Sequence, residues 1–247
     1  MRLQLTVWPE VEEYLKRSTG IIIPIGSTEQ HGPTGLIGTD AICAETMAWK
    51  AGERADAMVG PTLTVGMSEH HMQFPGSVTL RPSTLLAVVR DVVLSLARHG
   101  FRRLFFVNGH GGNTPSLEAA FFEAYTDAPR VVAGGDALRC IAVEWWRLPS
   151  AERLSAELFG DLDGDHASAV EVSVAAAAFP EHRKEIAMAT DPAPSSRVFG
   201  PADFRRRYPD GRMGSHPELA TVEAGRRIID AVAAEIADLY QSFMTEP

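Results

Sequence analysis

Short apolar runs alternate with longer amphipathic stretches along the chain, a pattern typical of a mostly parallel sheet covered by helices. The runs Ile21–Ile25 and Leu104–Val107 predict buried strands, because β-branched and aromatic side chains suit strand interiors. Val131–Ala133 is predicted as a further strand. The alternation continues from end to end without a Gly/Ser linker, which favours an α/β fold and a single domain over residues 1–247.

Helices are predicted between these runs. Asp40–Ala55 is rich in Ala, Glu, Met and Lys, and the apolar residues of Leu85–Leu96 recur at spacings of three and four. A further helix is expected to open near Thr114, where a proline suits the first turn. The stripe Ile228–Phe243 predicts a final helix, whereas residues 191–217 are rich in Pro, Gly and Arg and are expected to be mostly loop.

Charge and composition exclude several classes of protein. The chain has 23 Lys and Arg against 32 Asp and Glu, a net charge of −9, which argues against a general nucleic-acid binder. No apolar stretch approaches the roughly 18 residues that a membrane span needs, and the N-terminus lacks a signal-peptide core. The two cysteines, Cys43 and Cys140, are too few for a disulfide scaffold or a thiolate zinc site. We therefore expect a cytoplasmic protein with no nucleic-acid or membrane partner.

Polar side chains are concentrated where the predicted strands end, which is where ligands bind in open α/β sheets. The first strand is followed by Glu29, His31 and Asp40, the second is followed by His110, and the group Asp163–His166 precedes Glu171. Each of these residues alone is more often a helix cap or a solvated loop residue. Their combination at consecutive strand ends, among several glycines, favours a functional site.

The chemistry of this set indicates a metal site. Carboxylates and imidazoles without thiols suit Zn²⁺, Mn²⁺ or Fe²⁺. Three carboxylates (Glu29, Asp40, Glu171) and two imidazoles (His31, His110) exceed what one catalytic ion uses, and they match two ions that share a carboxylate. Two such ions, roughly 3.5–4 Å apart, can bind one hydroxide between them and polarise a carbonyl together.

Four further residues are candidates for substrate binding, and each has a plain structural alternative. Ser68 and His70 lie either at the mouth of the site or in a hydrogen-bonded loop. Trp145 and Trp146 form either an aromatic clamp over a flat substrate ring or part of the core or of a subunit contact, since tryptophan carries much apolar area.

The chain resembles the creatininase (creatinine amidohydrolase) family through several motifs that occur in the family's order. They span residues 21 to 225 and are Gly26–Pro33 with Gly38–Asp40, Ser68–His70 with Phe74–Gly76, Asn108–Asn113, His166–Ala167 with Glu171, and Gly214–Gly225. The resemblance implies a three-layer α/β/α domain and hydrolysis of a C–N bond in a small cyclic or linear amide. It also implies two divalent ions per chain, Zn²⁺ and/or Mn²⁺ with Fe²⁺ as a further option, and a homo-oligomer, often a hexamer.

The resemblance also implies a role for each site residue. Glu29 and His110 match ligands of one ion and His31 a ligand of the other, with Asp40 as the bridge. Creatininase has a metal-binding glutamate where this chain has Gly112. Glu171 matches a glutamate that other branches of the family have at this point, so the resemblance implies that Glu171 completes the ligand set of the second ion. His166 matches the catalytic histidine, which carries a proton from the nucleophilic water to the leaving nitrogen. Asp163 or Asp165 is a candidate to orient His166.

Two departures bear on the substrate. Creatininase has larger residues where Gly111 and Gly112 stand, one of them closing its pocket, which argues against creatinine itself. We predict a metal-dependent amidohydrolase that acts on a small molecule at a C–N bond other than a peptide bond. One alternative is hydrolysis of a lactone or a ring C–C bond in an oxidised sugar or cyclitol at the same metals. The other is a binding or assembly protein that keeps the fold without catalysis.

Overall fold

The computed structural model describes residues 1–188 and 191–246. In this part of the chain four parallel strands form one sheet, in the order β2-β1-β3-β4. The strands are β1 (Gly20–Ile25), β2 (Met58–Val59), β3 (Arg103–Asn108) and β4 (Arg139–Glu144). The predictions of β1 and β3 are confirmed, and their continuous apolar sequences fit the burial of both strand faces.

Eight α-helices lie within the described residues. They are α1 (Trp8–Leu15), α2 (Thr39–Arg54), α3 (Pro82–Arg98), α4 (Thr114–Val131), α5 (Pro149–Leu158), α6 (Ala169–Ala178), α7 (Pro201–Arg207) and α8 (Val222–Thr245). The predicted helices at Asp40–Ala55, Leu85–Leu96, Thr114 and Ile228–Phe243 correspond to α2, α3, α4 and α8. None of these helices is long and apolar enough to cross a membrane.

Helices cover the sheet on both faces because successive strand side chains point to opposite sides. Ile22 and Phe105 pack into a core with α2, α5, α6 and α8, whereas Ile21 and Leu104 pack into a second core with α1, α3 and α4. The predicted fold is therefore confirmed as three layers, α/β/α, around a parallel sheet.

Two expectations from the sequence need correction. Val131–Ala133 is not a strand, because α4 runs to Val131 and places its apolar face against the core, and β4 begins only at Arg139. Residues 191–217 are largely loop as expected, but they also contain α7. Phe204 of α7 is fully buried beside the histidines of the candidate site.

The register of the sheet brings the predicted site together. Ile25 at the end of β1 pairs with Asn108 at the end of β3, and Asn108 pairs with Glu144 at the end of β4. The loops that follow these three strands therefore leave the same edge of the sheet, which is where an open α/β fold binds its ligands.

Candidate metal centre

The five predicted ligands lie together at the carboxyl edge of the sheet. Glu29 and His31 belong to the loop after β1, and Asp40 lies in the first turn of α2. His110 follows β3, and Glu171 lies in the first turn of α6. Glu29, His31 and Asp40 are 0–3% exposed, so their charges face one another and not the solvent.

Asp40 stands at the middle of this group because its two oxygens face different histidines. Oδ1 lies 2.9 Å from His31 Nε2, and Oδ2 lies 3.1 Å from His110 Nδ1. A carboxylate oriented in this way is suited to bridge two cations, each of which would also contact one of the histidines.

In both His31 and His110, the ring nitrogen that points away from Asp40 lies next to a backbone carbonyl. His31 Nδ1 lies 3.1 Å from the carbonyl oxygen of Glu29, and His110 Nε2 lies 2.9 Å from that of Met67. Because a carbonyl only accepts, these contacts fix the proton on the outer nitrogen of each neutral ring. The nitrogen that faces Asp40 then keeps its lone pair, an arrangement typical of metal-binding histidines.

Glu29 is held by Ser68 and by His71, a histidine that the motifs of the sequence do not single out. Ser68 Oγ donates a hydrogen bond of 2.5 Å to Glu29 Oε2 and also contacts Ser27 Oγ. His71 Nε2 lies 3.1 Å from Glu29 Oε1. Burial alone would raise the pKa of Glu29, but His110 and His71 hold it well below its ordinary value. Ser68 is fully buried and lies against Glu29, whose carboxylate it holds in place.

Glu171 places a carboxylate beside His31, whereas Gly112 has no side chain to offer. Its Oε2 lies 3.9 Å from His31 Nε2, and its Oε1 accepts a 2.6 Å hydrogen bond from the Ser168 backbone N–H in a capping box at the start of α6. A Cβ at residue 112 would collide with His110 Nε2, so this backbone leaves no room for a side chain there. Burial, with Asp40 nearby, raises the pKa of Glu171 to about 7 despite the opposing effect of His31.

The charges and the unsatisfied atoms of the group fit a cation. Burial disfavours protonation of His31, but Asp40 and Glu171 raise its pKa to about 10. Burial also disfavours protonation of His110, but Glu29 and Asp40 raise its pKa to about 9. The cluster of carboxylates therefore attracts positive charge strongly. Glu29 Oε1 and Asp40 Oδ2 are buried and make no well-directed hydrogen bond, so both remain available to a metal.

The described part of the chain contains three sets of three potential ligand residues. Within each set, the ligand atoms lie within 4.8 Å of one another. The sets are Glu29–His31–Asp40, His31–His166–Glu171 and Glu29–His71–His166. The sets share residues, so they form one continuous cluster. Divalent ions such as Zn²⁺ and Mn²⁺ accept this mixture of nitrogen and oxygen donors.

His166 lies at the border between this cluster and a cleft. Its Nδ1 is 3.9 Å from Glu29 Oε1, and a backbone bridge to Met213 holds its loop. The next residue, Ala167, has a φ of 56°, a costly conformation for alanine of the kind that is concentrated at functional sites. Burial, with the nearby His71 and His31, lowers the pKa of His166 well below its ordinary value. The ring is therefore neutral at neutral pH, and one of its nitrogens has a free lone pair.

Neither aspartate that was expected to orient His166 does so. Asp163 instead accepts hydrogen bonds from Ser155 Oγ at 2.6 Å and from the Val170 backbone N–H at 2.8 Å, so it holds the start of α6. Asp165 is bound through its backbone N–H to the Met213 carbonyl. The polar neighbour of the His166 ring is Gln30, whose backbone oxygen and side-chain nitrogen both lie 2.9 Å from Nε2.

The two neighbouring histidines of the Ser68–His71 segment have different surroundings. His71 is buried against Glu29, and its ring stacks on that of His166 with centroids 4.4 Å apart. His70 packs on the outer side of His71, where burial and that ring lower its pKa to about 4. The prediction names His70, whose ring also stacks on that of His110 with centroids 6.1 Å apart, whereas His71 is the one that contacts a predicted ligand carboxylate. Both lie on one 3-10 turn, and no periodicity in the sequence distinguishes them.

A cleft of about 520 Å³ opens over the cluster, a volume suited to a small molecule. Asp40, His110, Glu171 and His166 lie on its wall, and Trp146 lies over Gly111. Trp145, one of the predicted candidates for substrate binding, does not line the cleft. It is 1% exposed and packs in the core beneath the cleft. Its large apolar area accounts for that position. Of the predicted aromatic pair, only Trp146 reaches the cleft.

A family model described as creatininase (creatinine amidohydrolase) matches residues 4–240. The chain belongs to the creatininase family. Among curated relatives, creatinine amidohydrolase of Pseudomonas putida is 27% identical and covers 94% of this chain and 92% of its own. The 3-dehydro-scyllo-inosose hydrolase of Thermotoga maritima is 24% identical and covers 98% and 83%. The mycofactocin precursor peptide peptidase of Mycolicibacterium smegmatis is 37% identical over only 40% of this chain and 42% of its own.

Solved creatininase structures share the fold over nearly the whole length. A crystal structure of creatinine amidohydrolase is 25% identical, with a TM-score of 0.86 over 100% of this chain and 98% of that one. A structure named as the Mn form of creatininase is 24% identical and has a TM-score of 0.85, with 99% of both chains covered. A mutant creatininase of Zn-Zn type is also 24% identical, with a TM-score of 0.84 and coverage of 99% and 98%. Two of these creatininases are named with manganese or zinc, and this creatininase-family chain presents a cluster that could hold a metal ion.

Proposed function

We propose that the protein is a metal-dependent amidohydrolase that holds two divalent ions, Zn²⁺ and/or Mn²⁺ with Fe²⁺ as a further option. Glu29 and His110 would hold one ion and His31 and Glu171 the other, with Asp40 as the bridge. The observation that carries this assignment is the position of Asp40, whose two oxygens lie 2.9 Å and 3.1 Å from two different histidines. When bound, such a pair of ions polarises a carbonyl and lowers the pKa of a water molecule.

The protein's own groups would orient the substrate and move the proton. His166 is on the cleft wall, is neutral at neutral pH and has Nδ1 directed towards Glu29, so it can take a proton from the attacking water and return it to the leaving nitrogen. Proton delivery is needed because an amine anion is a very poor leaving group. Trp146 offers an aromatic face at the cleft for a flat amide or ring.

The charges of the cleft narrow the class of substrate. Glu152, Asp163 and Asp165 line it beside the ligand residues, and Arg147 is a basic residue on the same wall. A negatively charged substrate would be repelled by this excess of carboxylates, even after bound cations offset those of the ligands. We therefore favour a neutral or cationic cyclic or linear amide.

A second candidate function is supported by one of the relatives. The Thermotoga maritima protein aligned over 98% of this chain is named a 3-dehydro-scyllo-inosose hydrolase. The same ligands and the same His166 could serve hydrolysis of a lactone or a ring C–C bond in a neutral oxidised sugar or cyclitol, which also suits the cleft's charge.

A substrate panel distinguishes these two functions. We expect the zinc- or manganese-loaded protein to open small cyclic amides or cleave formamides, with a carboxylate and an amine as products. Activity should disappear after chelation and in Glu29→Gln, which keeps the size of the side chain but removes the ligand charge. Cleavage of lactones or cyclic ketones in the absence of amide hydrolysis would favour the alternative. A metal-loaded protein that cleaves neither class would contradict both.

Glu171→Gln is expected to lower the metal content from about two ions per chain towards one. Glutamine keeps the hydrogen bond that caps α6 but loses the charge that binds the second ion, whereas Glu29 and His110 retain theirs. Metal analysis of the dialysed protein measures this change.

The matched control for this substitution is Ser168→Ala. It weakens the same cap, at a cost of about 1 kcal/mol, without removing a ligand, so the melting temperature should fall while the metal content stays. Full retention of both ions in Glu171→Gln would show that Glu171 is not a ligand.

A further inference from the structure

We propose that Gly111 is a specificity-determining residue, whose missing side chain leaves room in the cleft for a substrate that carries a flat ring beside the scissile amide. Gly111 and Trp146 line the cleft together, and Gly111 directly follows His110, one of the proposed metal ligands. A side chain at residue 111 would therefore take up space next to the metal cluster. This role deepens the proposed function and rests on it for the nature of the bond that is broken.

Packing does not require a glycine at residue 111. Apart from its neighbours in the chain, a Cβ built there would have one described atom within 4 Å, Trp146 Cζ2 at 3.8 Å, which is an ordinary van der Waals contact. Gly111 begins a 3-10 turn and its φ lies outside the left-handed region, so the backbone also accepts a larger residue. Neither packing nor backbone conformation accounts for this glycine.

The two glycines beside it, Gly109 and Gly112, differ in this respect. A Cβ at Gly109 would collide with the carbonyl oxygen of Asp40, and a Cβ at Gly112 would collide with the ring of His110. Both glycines are therefore needed to seat a proposed ligand. Gly111 is the glycine of this group whose missing side chain leaves open space in the cleft.

The side of the cleft that faces residue 111 is a firmly held aromatic ring. Trp146 is half-buried, and its ring packs against that of Trp145 with centroids 6.4 Å apart and planes at 85°. Trp145 is 1% exposed and belongs to the core, so it fixes the plane of the Trp146 ring. A ring held in this way offers an apolar surface that suits another flat ring in offset or edge-to-face contact.

The cleft is also larger than a compact amide requires. Its volume of about 520 Å³ lies within the roughly 300–1,000 Å³ of pockets that enclose drug-sized ligands. The scissile group would lie at the metal cluster, and part of the remaining space lies beside Gly111 and Trp146. The geometry therefore favours an amide with a ring-bearing substituent over a compact one.

Two hydroxamates measure this space without depending on turnover. A hydroxamate chelates divalent metal ions, and 2-phenylacetohydroxamate differs from acetohydroxamate by a phenyl ring. In calorimetric titrations of the full-length, zinc-loaded protein, we expect the phenyl compound to bind about tenfold more tightly or better, the effect of removing much of an aromatic ring from water.

Three variants relate that preference to residue 111. Gly111→Phe should remove it, because the new ring would occupy the same space, while acetohydroxamate should still bind since no ligand is lost. Gly111→Ala adds one Cβ in ordinary contact with Trp146 and should reduce the preference by a smaller factor. Gly112→Ala is the matched contrast, because its Cβ collides with His110, so the metal content should fall and both compounds should bind more weakly.

Wild-type protein that binds the two hydroxamates equally would overturn the inference, whether or not Gly111→Phe folds. A folded, metal-loaded Gly111→Phe protein that keeps the full preference for the phenyl compound would also overturn it.

Hydrolysis is measured separately, as the ratio of kcat/KM for N-benzylformamide to that for N-methylformamide, which have the same scissile bond. This ratio should fall in Gly111→Phe. If both formamides are cleaved and the ratio does not change, the role of Gly111 is wrong and the proposed function stands. If the hydroxamate affinities depend on residue 111 but no amide is cleaved, the role of Gly111 is supported and the proposed reaction is wrong.

Discussion

Replacing Asp40 with alanine is expected to remove both divalent ions from the protein and reduce hydrolysis to the level of the chelated wild type. The reason is geometric, since Asp40 Oδ1 faces His31 and Oδ2 faces His110, so one side chain serves both halves of the cluster. Metal content should fall from about two ions per chain to well under one. Elemental analysis and metal titration of the same preparation measure the loss.

The effect on the metals must be separated from an effect on folding. Without metal, Asp40 still neutralises two buried histidines, and a hydrogen bond to a charged group contributes about 1.5–3 kcal/mol. The metal-free variant is therefore expected to melt below the metal-free wild type. Asp40→Asn keeps the shape of the side chain and should lose the ions with a smaller loss of stability.

Glu53→Ala is the control on the same helix. Glu53 lies near the end of α2, is exposed and pairs only with Lys50 among the ion pairs of the described residues. An exposed pair of this kind contributes little, so metal content and activity should match the wild type. Asp40→Ala protein that keeps one firmly bound ion would show that the bridge assignment is wrong and that the two ions are held independently.

The sequence predicts those parts of the fold where a local pattern decides the structure. β1 and β3 are central strands, buried on both faces, and their unbroken apolar runs leave little ambiguity. β4 lies at the edge of the sheet and has exposed and buried residues mixed, from Arg139 to Glu144, so its pattern is weak. The prediction of a strand at Val131 is wrong because the local sequence does not show that α4 continues that far.

The same distinction holds at the candidate site. Glu29 and His110 follow strand ends and Glu171 lies in a recognisable motif, so the sequence alone predicts that these side chains lie together. The residues that position them cannot be predicted in this way, because their contacts join distant parts of the chain. Gln30 and His166 are 136 residues apart, and His71 differs from His70 only in the direction that a 3-10 turn gives its ring. Such contacts depend on the tertiary fold and leave no periodic signal.

The second large effect is expected in His166→Ala, where kcat should fall about 10²–10⁴-fold while both ions stay bound, the range typical of general acid–base groups. His166 is on the cleft wall and its Nδ1 lies 3.9 Å from Glu29 Oε1, close to the reacting region but outside the five-ligand set. Those five side chains would give each ion three protein donors, and a water molecule would complete the four that zinc commonly takes. A further protein ligand would occupy the position that the substrate needs.

Two control variants separate chemistry from loop structure. Ser215→Ala removes the 2.5 Å hydrogen bond to the His166 carbonyl and so loosens the loop without changing the imidazole. It should lower the melting temperature with a small effect on kcat. His182→Ala removes an exposed histidine on another 3-10 turn and should change neither quantity.

The outcome for His166→Ala depends on three measurements on one preparation: metal content, melting temperature and kcat. The structure gives the competing role a definite form, because His166 also lies within 4.8 Å of potential ligand atoms of His31 and Glu171. If the variant loses the ion assigned to His31 and Glu171, His166 is a ligand and the proton must be carried by another group. If both ions stay and turnover in the folded fraction is unchanged, His166 is structural. Only a large fall in kcat with full metal content agrees with proton transfer by His166. Removal of the imidazole would then stop the transfer of the proton while the residues that bind the metal ions stay intact.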